Sequence, residues 1–127
     1  MRVLLFGANG QVGVEVQRSA KAAGAEVFPV DRALCDLTKS GGPSRLIEAT
    51  TPDAVINAAA YTAVDKAESD AEAAHAVNAA APGEMAMTCA ELGVPLVHFS
   101  TDYVFNGAGR RPYLETDAPA PLGVYGR

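Results

Sequence analysis

Positive charge and aromatic residues are scarce in this sequence. Its 127 residues include 10 Lys and Arg against 15 Asp and Glu, aromatic residues make up 6%, and tryptophan is absent. With a net charge of −5 and no basic run, the chain is not expected to bind nucleic acid or an anionic membrane surface as its main partner. No stretch approaches ~18 uninterrupted apolar residues, and the chain leads straight into a short apolar run, so we expect no membrane span, no secretion signal and a cytoplasmic location.

Cysteine is also rare, which limits redox and metal chemistry. Cys35 and Cys89 lack the spacing of a metal site or a redox pair, so we expect no metal site and two small buried side chains. What the chain does have is 49% hydrophobic and 20% charged residues, the balance of a soluble globular domain that can bury a core. We therefore expect one domain over residues 1–127.

The first part of the chain predicts a strand that turns directly into a helix. An apolar run at residues 3–6 has no helical period and ends at Gly7, which is typical of a strand buried on both faces of a parallel sheet. From residue 12 to residue 23 apolar residues recur at helical spacing, and Gly24 can close that helix in the left-handed conformation. The turn between strand and helix carries three glycines, Gly7, Gly10 and Gly13.

These glycines predict a dinucleotide-binding loop. Glycine lets the backbone approach a ligand closely, and the N-terminus of a helix favours a pyrophosphate. The spacing Gly-x-x-Gly-x-x-Gly departs from the usual Gly-x-Gly-x-x-Gly, so a plain strand–helix turn is the alternative. A second apolar strand, Glu26 to Val30, ends at Asp31, 18 residues after Gly13, where an acid can accept from ribose hydroxyls. Arg32 could meet a 2′-phosphate instead, so NADH and NADPH both stay open.

The remaining sequence alternates predicted helices and strands. We expect a short helix from Pro43 to Ala49 and a strand from Asp53 to Ala60, whose three final alanines either make room for a cofactor or pack under a helix. Residues 65–93 predict a long helical region that Pro82 breaks between residues 78 and 82. A fourth strand follows over residues 94–99.

This order of elements predicts an α/β fold, a doubly wound parallel sheet of the Rossmann type. We expect the strand order 3-2-1-4, with the ligand crevice between the first and fourth strands. Residues 103–127 contain no periodic segment, so we expect a loop that covers an active site or leads to a further part of a protein.

The fourth strand delivers Ser100-Thr101-Asp102-Tyr103 to the edge of the crevice. Hydroxyl groups there can hydrogen-bond a substrate carbonyl oxygen and stabilise the charge that develops on it during hydride transfer. The alternative is that these hydroxyls only cap the end of the strand.

A set of motifs gives the chain a family resemblance. They are Gly7-Ala8-Asn9-Gly10-Gln11-Val12-Gly13, Ala58-Ala59-Ala60-Tyr61-Thr62-Ala63-Val64-Asp65, Val77-Asn78, Ser100-Thr101-Asp102-Tyr103-Val104-Phe105-Asn106-Gly107, Pro112-Tyr113 with Glu115 and Asp117, and Tyr125-Gly126. Together they resemble the dTDP-4-dehydrorhamnose reductases, which belong to the extended short-chain dehydrogenase/reductases. The resemblance covers the whole chain.

The resemblance implies roles for particular residues. Thr101 would bind the substrate C4 carbonyl, and Tyr125 would protonate its oxygen. The positions that would contact NADPH or NADH are Gly7, Asn9, Gly10, Gln11, Val12, Gly13, Asp31, Arg32, Asp36, Leu37, Ala58, Ala59, Ala60 and Tyr61. Those expected near a nucleotide-sugar substrate are Val64, Asp65, Asp102 and Tyr103.

The resemblance also implies an activity, the reduction of the C4 keto group of dTDP-4-dehydro-L-rhamnose to give dTDP-L-rhamnose. In that family a lysine follows the tyrosine at a position that would be 129, whereas this sequence ends at Arg127. We therefore interpret residues 1–127 as a cofactor-binding half that precedes a C-terminal substrate domain, with negligible turnover by itself. The alternatives are a non-catalytic regulatory subunit and a related nucleotide-sugar epimerase or dehydratase. The resemblance is compatible with a homodimer, and the sequence leaves the oligomeric state and the exact sugar open.

Overall fold

A computed structural model describes residues 1–127 as a four-stranded parallel sheet with helices on both faces, which confirms the expected fold class. In chain order the elements are β1 (Arg2–Phe6), α1 (Gln11–Ala22), β2 (Glu26–Val30), α2 (Gly42–Thr50), β3 (Ala54–Asn57), α3 (Val64–Ala67), α4 (Ala71–His75), α5 (Ala81–Leu92) and β4 (Leu96–His98). A π-helical turn (Ala76–Ala80) joins α4 to α5, and a 3-10 turn (Asp102–Val104) follows β4. None of these helices has the length and apolar character needed to cross a membrane.

The strand order is β2-β1-β3-β4, so the predicted order 3-2-1-4 is wrong. β3 pairs in parallel with β1 instead of lying beyond β2. The reason is the connection through α2, which packs against α5 and carries the chain back past β1. With right-handed crossovers, α1 then covers one face of the sheet, and α2 and α5 cover the other. The crevice of such a sheet opens where the connections diverge, which is between β1 and β3 rather than between the first and fourth strands.

The core is built around β1, which is buried on both faces as predicted. Each residue from Val3 to Phe6 is at most 4% exposed. Leu4 and Phe6 pack with side chains of α2 and α5, among them Ile47 and Met85. Cys35 and Cys89 belong to the same cluster as free thiols, which confirms their predicted role as small buried side chains.

On the side of the sheet that α1 covers, a groove remains next to the buried strand β1. The predicted apolar stripe of α1 lines a groove of about 600 Å³ together with β1 and β3, and Val12 on this stripe is 45% exposed. β2 is an edge strand, and this position tolerates Pro29, which has no N–H to donate to a neighbouring strand. α1 is followed by Gly24 at φ +67°, the left-handed geometry that the sequence predicts.

The long helical region breaks more often than the sequence predicts. The π-helical turn lies immediately before α5, whose second residue is Pro82, so the expected break is confirmed. A second break separates α3 from α4 at residues 68–70 and was not predicted. Both later strands are shorter than expected. β3 ends at Asn57 because its side-chain Oδ1 accepts the N–H of Ala59, which turns the chain out of the sheet.

Glu84 of α5 holds the N-terminus of α2 in place. Its carboxylate accepts the N–H of Gly41 and the N–H of Ser44, both at 2.9 Å, and the Ser44 hydroxyl at 2.7 Å. The N-cap residue of α2 is Gly41, which has no side chain to accept the free N–H groups at the start of the helix. The Glu84 carboxylate accepts them instead. Burial pushes the pKa of Glu84 upwards, but the hydrogen bonds from Ser44 and Gly41 prevail, and the pKa lies below its ordinary value.

Removal of this carboxylate is expected to destabilise the fold. Glu84→Ala should lower the free energy of unfolding by about 1–3 kcal/mol, because three donors lose a charged acceptor. Because the pKa of Glu84 is lower in the folded state than in the unfolded state, its charge stabilises the fold above the unfolded-state pKa. This stabilisation is lost as the pH falls through the folded-state pKa. Urea unfolding of the wild type and Glu84→Gln should therefore differ near neutral pH and converge in acid.

The matched control is Glu91→Ala on the same helix, because Glu91 is exposed and makes no side-chain hydrogen bond. It should change stability by less than about 0.5 kcal/mol. Equal losses from Glu84→Ala and Glu91→Ala would contradict the capping role of Glu84.

Candidate functional site

The glycine loop packs tightly between β1, β3 and α1. Gly7 has φ +77°, and a Cβ there would lie 2.6 Å from the carbonyl carbon of Ala58. A Cβ on Gly13 would overlap the Gly7 oxygen and lie 2.9 Å from Ala8. The N–H groups of Gly7 and Ala8 both donate to the Val30 oxygen, at 3.0 and 3.2 Å, which fixes the loop against the end of β2. Two of the three glycines are thus required by packing.

The N-terminus of α1 is open to a ligand. No side chain caps it, no acidic residue lies in its first turn, and the N–H groups of Gln11 and Val12 donate to no atom of the protein. Gly10 lines the adjoining cavity, and a Cβ there would meet only the Gly7 oxygen, at 3.4 Å. Free N–H groups, a positive helix end and an unobstructed backbone fit a pyrophosphate.

Asp31 stands at the end of β2, beside this loop. Its Oδ1 accepts the N–H of Leu34 at 3.0 Å, and its Oδ2 accepts from Nδ2 of Asn9 at 3.3 Å. The Arg32 side chain is 82% exposed, with its Nε 3.8 Å from Oδ1 of Asp36. Hydrogen bonds from the N–H and hydroxyl of Thr38 lower the pKa of Asp36. The site therefore offers the Asp31 carboxylate to ribose hydroxyls and the exposed Arg32 guanidinium to a phosphate.

One cavity of about 900 Å³ collects nearly all of the predicted cofactor-binding residues. This volume is within the range of sites for small molecules and cofactors. The predicted residues that line it are Gly7, Asn9, Gly10, Gln11, Val12, Asp31, Arg32, Asp36, Leu37, Ala58, Ala59, Ala60 and Tyr61. Gly13 does not line it, since it is buried behind the loop.

Sequence reasoning missed several residues of this cavity. They are Cys35, Thr38, Thr62, Lys66, Asp70, Ala73 and Val77. Tyr61 donates its hydroxyl to Asp70 at 3.1 Å, and Lys66 lies 3.6 Å from the same carboxylate. Burial and the hydrogen bond to Asp70 raise the pKa of Tyr61. The signal for this group was present in the spacing of Lys66 and Asp70, which places both on one side of a helical turn.

A second cavity, of about 700 Å³, contains both predicted catalytic residues, Thr101 and Tyr125. The two cavities share the lining residues Val12, Ala58, Ala59, Ala60 and Thr62, so they adjoin, and together they are called the crevice. It passes the carboxyl ends of β1 and β3, where the strand order predicts a ligand site. Four predicted substrate residues line neither cavity, namely Val64, Asp65, Asp102 and Tyr103.

The floor shared by both cavities is held by two asparagines that sequence reasoning did not select for a role. Asn57 is fully buried, accepts the N–H of Ala59 at 3.1 Å and lies 3.1 Å from Nδ1 of His98. Asn78 forms a pair of hydrogen bonds with the backbone of Tyr61, at 2.8 Å to its N–H and 3.0 Å to its oxygen. These amides fix the alanine segment from both ends, and the small alanine side chains leave the crevice open.

Thr101 and Tyr125 have the functional groups that a carbonyl reduction needs. The Thr101 hydroxyl accepts the N–H of Tyr103 at 3.2 Å and lies 3.4 Å from Oδ1 of Asp102. The latter contact is long, which leaves the hydroxyl proton available to a ligand oxygen. The ring of Tyr125 is half-buried and meets the Tyr103 ring edge-on, with centroids 5.3 Å apart.

The chain is similar to known proteins in both sequence and structure. The chain is 48% identical over 126 residues to a dTDP-4-dehydrorhamnose reductase of Burkholderia thailandensis, a match that covers 99% of this chain and 42% of that protein. The structure of a dTDP-4-dehydrorhamnose reductase of Clostridium acetobutylicum superposes with a TM-score of 0.94 at 39% identity, covering 99% of this chain and 45% of that one. The enzyme of Bacillus anthracis, solved in complex with NADP, gives 0.91 at 36% identity, covering 98% and 44%.

The chain thus spans less than half the length of the relatives it matches. These matches cover 98–99% of this chain, in agreement with the resemblance seen in the sequence. A family model described as the RmlD substrate binding domain matches residues 1–127, and the chain belongs to this family.

Proposed function

We propose that residues 1–127 form the NAD(P)-binding part of a dTDP-4-dehydrorhamnose reductase, with the cofactor in the crevice described above. The observation that carries this proposal is that the two cavities adjoin along the alanine segment. One end presents the glycine loop and Asp31, and the other presents Thr101 and Tyr125. An extended dinucleotide that enters at the first end would reach the hydroxyls at the second. The curated relatives and the NADP complex support the same assignment.

The residues of the chain suggest how the reaction proceeds. A bound NADPH or NADH supplies the hydride for C4 of the sugar. Thr101 donates its hydroxyl hydrogen bond to the C4 carbonyl oxygen and stabilises the negative charge that develops there. Tyr125 gives its phenolic proton to that oxygen, so that a keto group becomes a hydroxyl. The helix end at Gln11 and Val12 would hold the pyrophosphate, and the alanine segment would leave space for the rest of the cofactor.

Two substitutions at the end of β2 are expected to separate the cofactors. Asp31→Ala should weaken the binding of NADH about tenfold and the binding of NADPH less. The lost carboxylate accepts from a ribose hydroxyl of NADH that is replaced by a phosphate group in NADPH. Arg32→Ala should do the reverse, because it removes a cation next to the 2′-phosphate. Calorimetric titration of both cofactors into the 127-residue chain measures each constant.

Each variant serves as the matched control of the other in this experiment. Circular dichroism must show that Asp31→Ala remains folded, since it also loses the Leu34 hydrogen bond. Parallel losses for both cofactors in both variants would contradict the assigned roles. Failure of the folded wild type to bind either cofactor at millimolar concentration would refute the proposed function itself.

Turnover requires a longer polypeptide in this proposal. A hybrid in which residues 1–127 are followed by the C-terminal part of the Burkholderia relative, called the extended hybrid below, should oxidise NADPH with dTDP-4-dehydro-L-rhamnose. The 127-residue chain alone corresponds to 42% of that relative and should show negligible turnover. Cofactor binding without turnover by the extended hybrid would favour the non-catalytic regulatory reading.

A further inference from the structure

Glu68 connects the end of α3 to the segment that carries Tyr125. Its Oε1 accepts the N–H of Val124 at 2.8 Å, across 56 positions of sequence. This carboxylate belongs to none of the predicted site residues, and it lines neither cavity. Its contact therefore reaches the backbone beside Tyr125 from outside the crevice.

The glycines on either side of Tyr125 show that this segment is closely fitted. A Cβ on Gly123 would lie 2.8 Å from Oε1 of Glu68. A Cβ on Gly126 would overlap the Tyr103 oxygen and lie 2.9 Å from Cβ of Pro121. The absence of a side chain at both positions allows the backbone to lie against Glu68 on one side and the 3-10 turn on the other.

A third contact fixes the start of the same segment. The N–H of Ala120 donates to the Val104 oxygen at 2.8 Å. Closer to Tyr125, the N–H of the neighbouring residue Val124 donates to Glu68, which lies in a distant part of the chain. A carboxylate at the C-terminal end of α3 thus contacts the backbone next to Tyr125, whose ring lies edge-on against Tyr103.

We propose that Glu68 is a positioning residue for Tyr125. By accepting the N–H of Val124, Glu68 holds Tyr125 at the crevice. This inference rests on the proposed function, in which Tyr125 is the proton donor. A proton transfer is sensitive to the position of the donor, because a displacement of ~1 Å can cost ~100-fold in rate. Glu68 does not touch the cofactor cavity, so its removal affects the rate of the chemical step and leaves cofactor affinity unchanged.

The test compares Glu68→Ala with the conservative Glu68→Gln in the extended hybrid. Glu68→Ala should lower kcat about tenfold, with the KM for the sugar changed less and the Kd for NADPH within about twofold. Glu68→Gln retains an acceptor oxygen and should recover most of kcat. The matched control is Glu72→Ala, because Glu72 is an exposed acid on the adjacent α4 that makes no side-chain hydrogen bond.

A second measurement does not depend on turnover. In the 127-residue chain, amide hydrogen exchange of Val124 should become about tenfold faster in Glu68→Ala and stay close to wild type in Glu68→Gln and Glu72→Ala. If Glu68→Ala leaves both kcat and Val124 exchange unchanged, or if Glu68→Gln is as impaired as Glu68→Ala, the positioning role is refuted. An unsubstituted hybrid without turnover refutes the reductase proposal, and Val124 exchange then decides separately whether Glu68 holds the segment.

Discussion

Gly7→Ala should cost the fold about 2–5 kcal/mol and abolish cofactor binding. The cost has two parts: the left-handed backbone at φ +77° and the overlap of the new Cβ with the backbone of Ala58 and Ala59. The same overlap pushes β3 away from the glycine loop, which opens the crevice at the point where its two cavities meet. Urea unfolding followed by circular dichroism measures the first effect, since the chain has no tryptophan. Titration with NADPH measures the second.

Two other glycines separate these causes. Gly24 has a similar φ of +67° but no atom within 4 Å of a new Cβ, so Gly24→Ala carries only the conformational cost of about 1–2 kcal/mol. Gly10→Ala should keep the fold, because its Cβ meets only the Gly7 oxygen at 3.4 Å, yet it should weaken NADPH by intruding on the pyrophosphate. If Gly7→Ala and Gly24→Ala lose the same stability, the close approach of the Ala58–Ala59 backbone to Gly7 is not what constrains this position.

Tyr125→Phe is expected to have the largest effect on the reaction. It removes the proton donor and keeps the ring that packs against Tyr103, so kcat of the extended hybrid should fall by about 10²–10⁴-fold while the Kd for NADPH stays unchanged. The rate of NADPH oxidation at saturating sugar gives kcat, and calorimetry gives the Kd.

The control for Tyr125→Phe is Tyr113→Phe, the same chemical change outside both cavities. The Tyr113 ring stacks on Phe105, with centroids 4.1 Å apart, and its hydroxyl accepts the N–H of Gly109. Loss of that hydroxyl should leave kcat within about threefold. A fall in kcat with Tyr113→Phe as large as with Tyr125→Phe would show that the effect comes from the loop as a whole and not from proton transfer.

The local elements of this fold could be predicted from the sequence because their signals are local. The apolar run before Gly7 and the helical period after residue 12 gave β1 and α1, and Pro82 marked the break that the structure contains as a π-helical turn. The resemblance of the motifs then identified the family. What could not be read locally was the strand order, because it depends on α2 packing against α5 through Ser44 and Glu84, which are 40 positions apart.

In the candidate site, too, the residues with local sequence signals were predicted and others were missed. The glycine loop and Asp31 were predicted because a strand end and a helix start lie within a few residues of them. Lys66 and Asp70 were missed although their spacing places both on one side of a helical turn, because that spacing does not show that Tyr61 donates to Asp70. Glu68 was missed for another reason, since its contact with Val124 joins two segments whose proximity no local pattern encodes.

The buried amide of Asn57 also orients the ring of His98. Because Oδ1 of Asn57 accepts the N–H of Ala59, its Nδ2 is the atom that faces His98 and must donate to Nδ1 of the ring. An Nδ1 that accepts this hydrogen bond carries no proton of its own, so the contact favours the tautomer with hydrogen on Nε2. His98 lines the cavity of Thr101 and Tyr125, so the Asn57 amide fixes the orientation of an imidazole at that cavity.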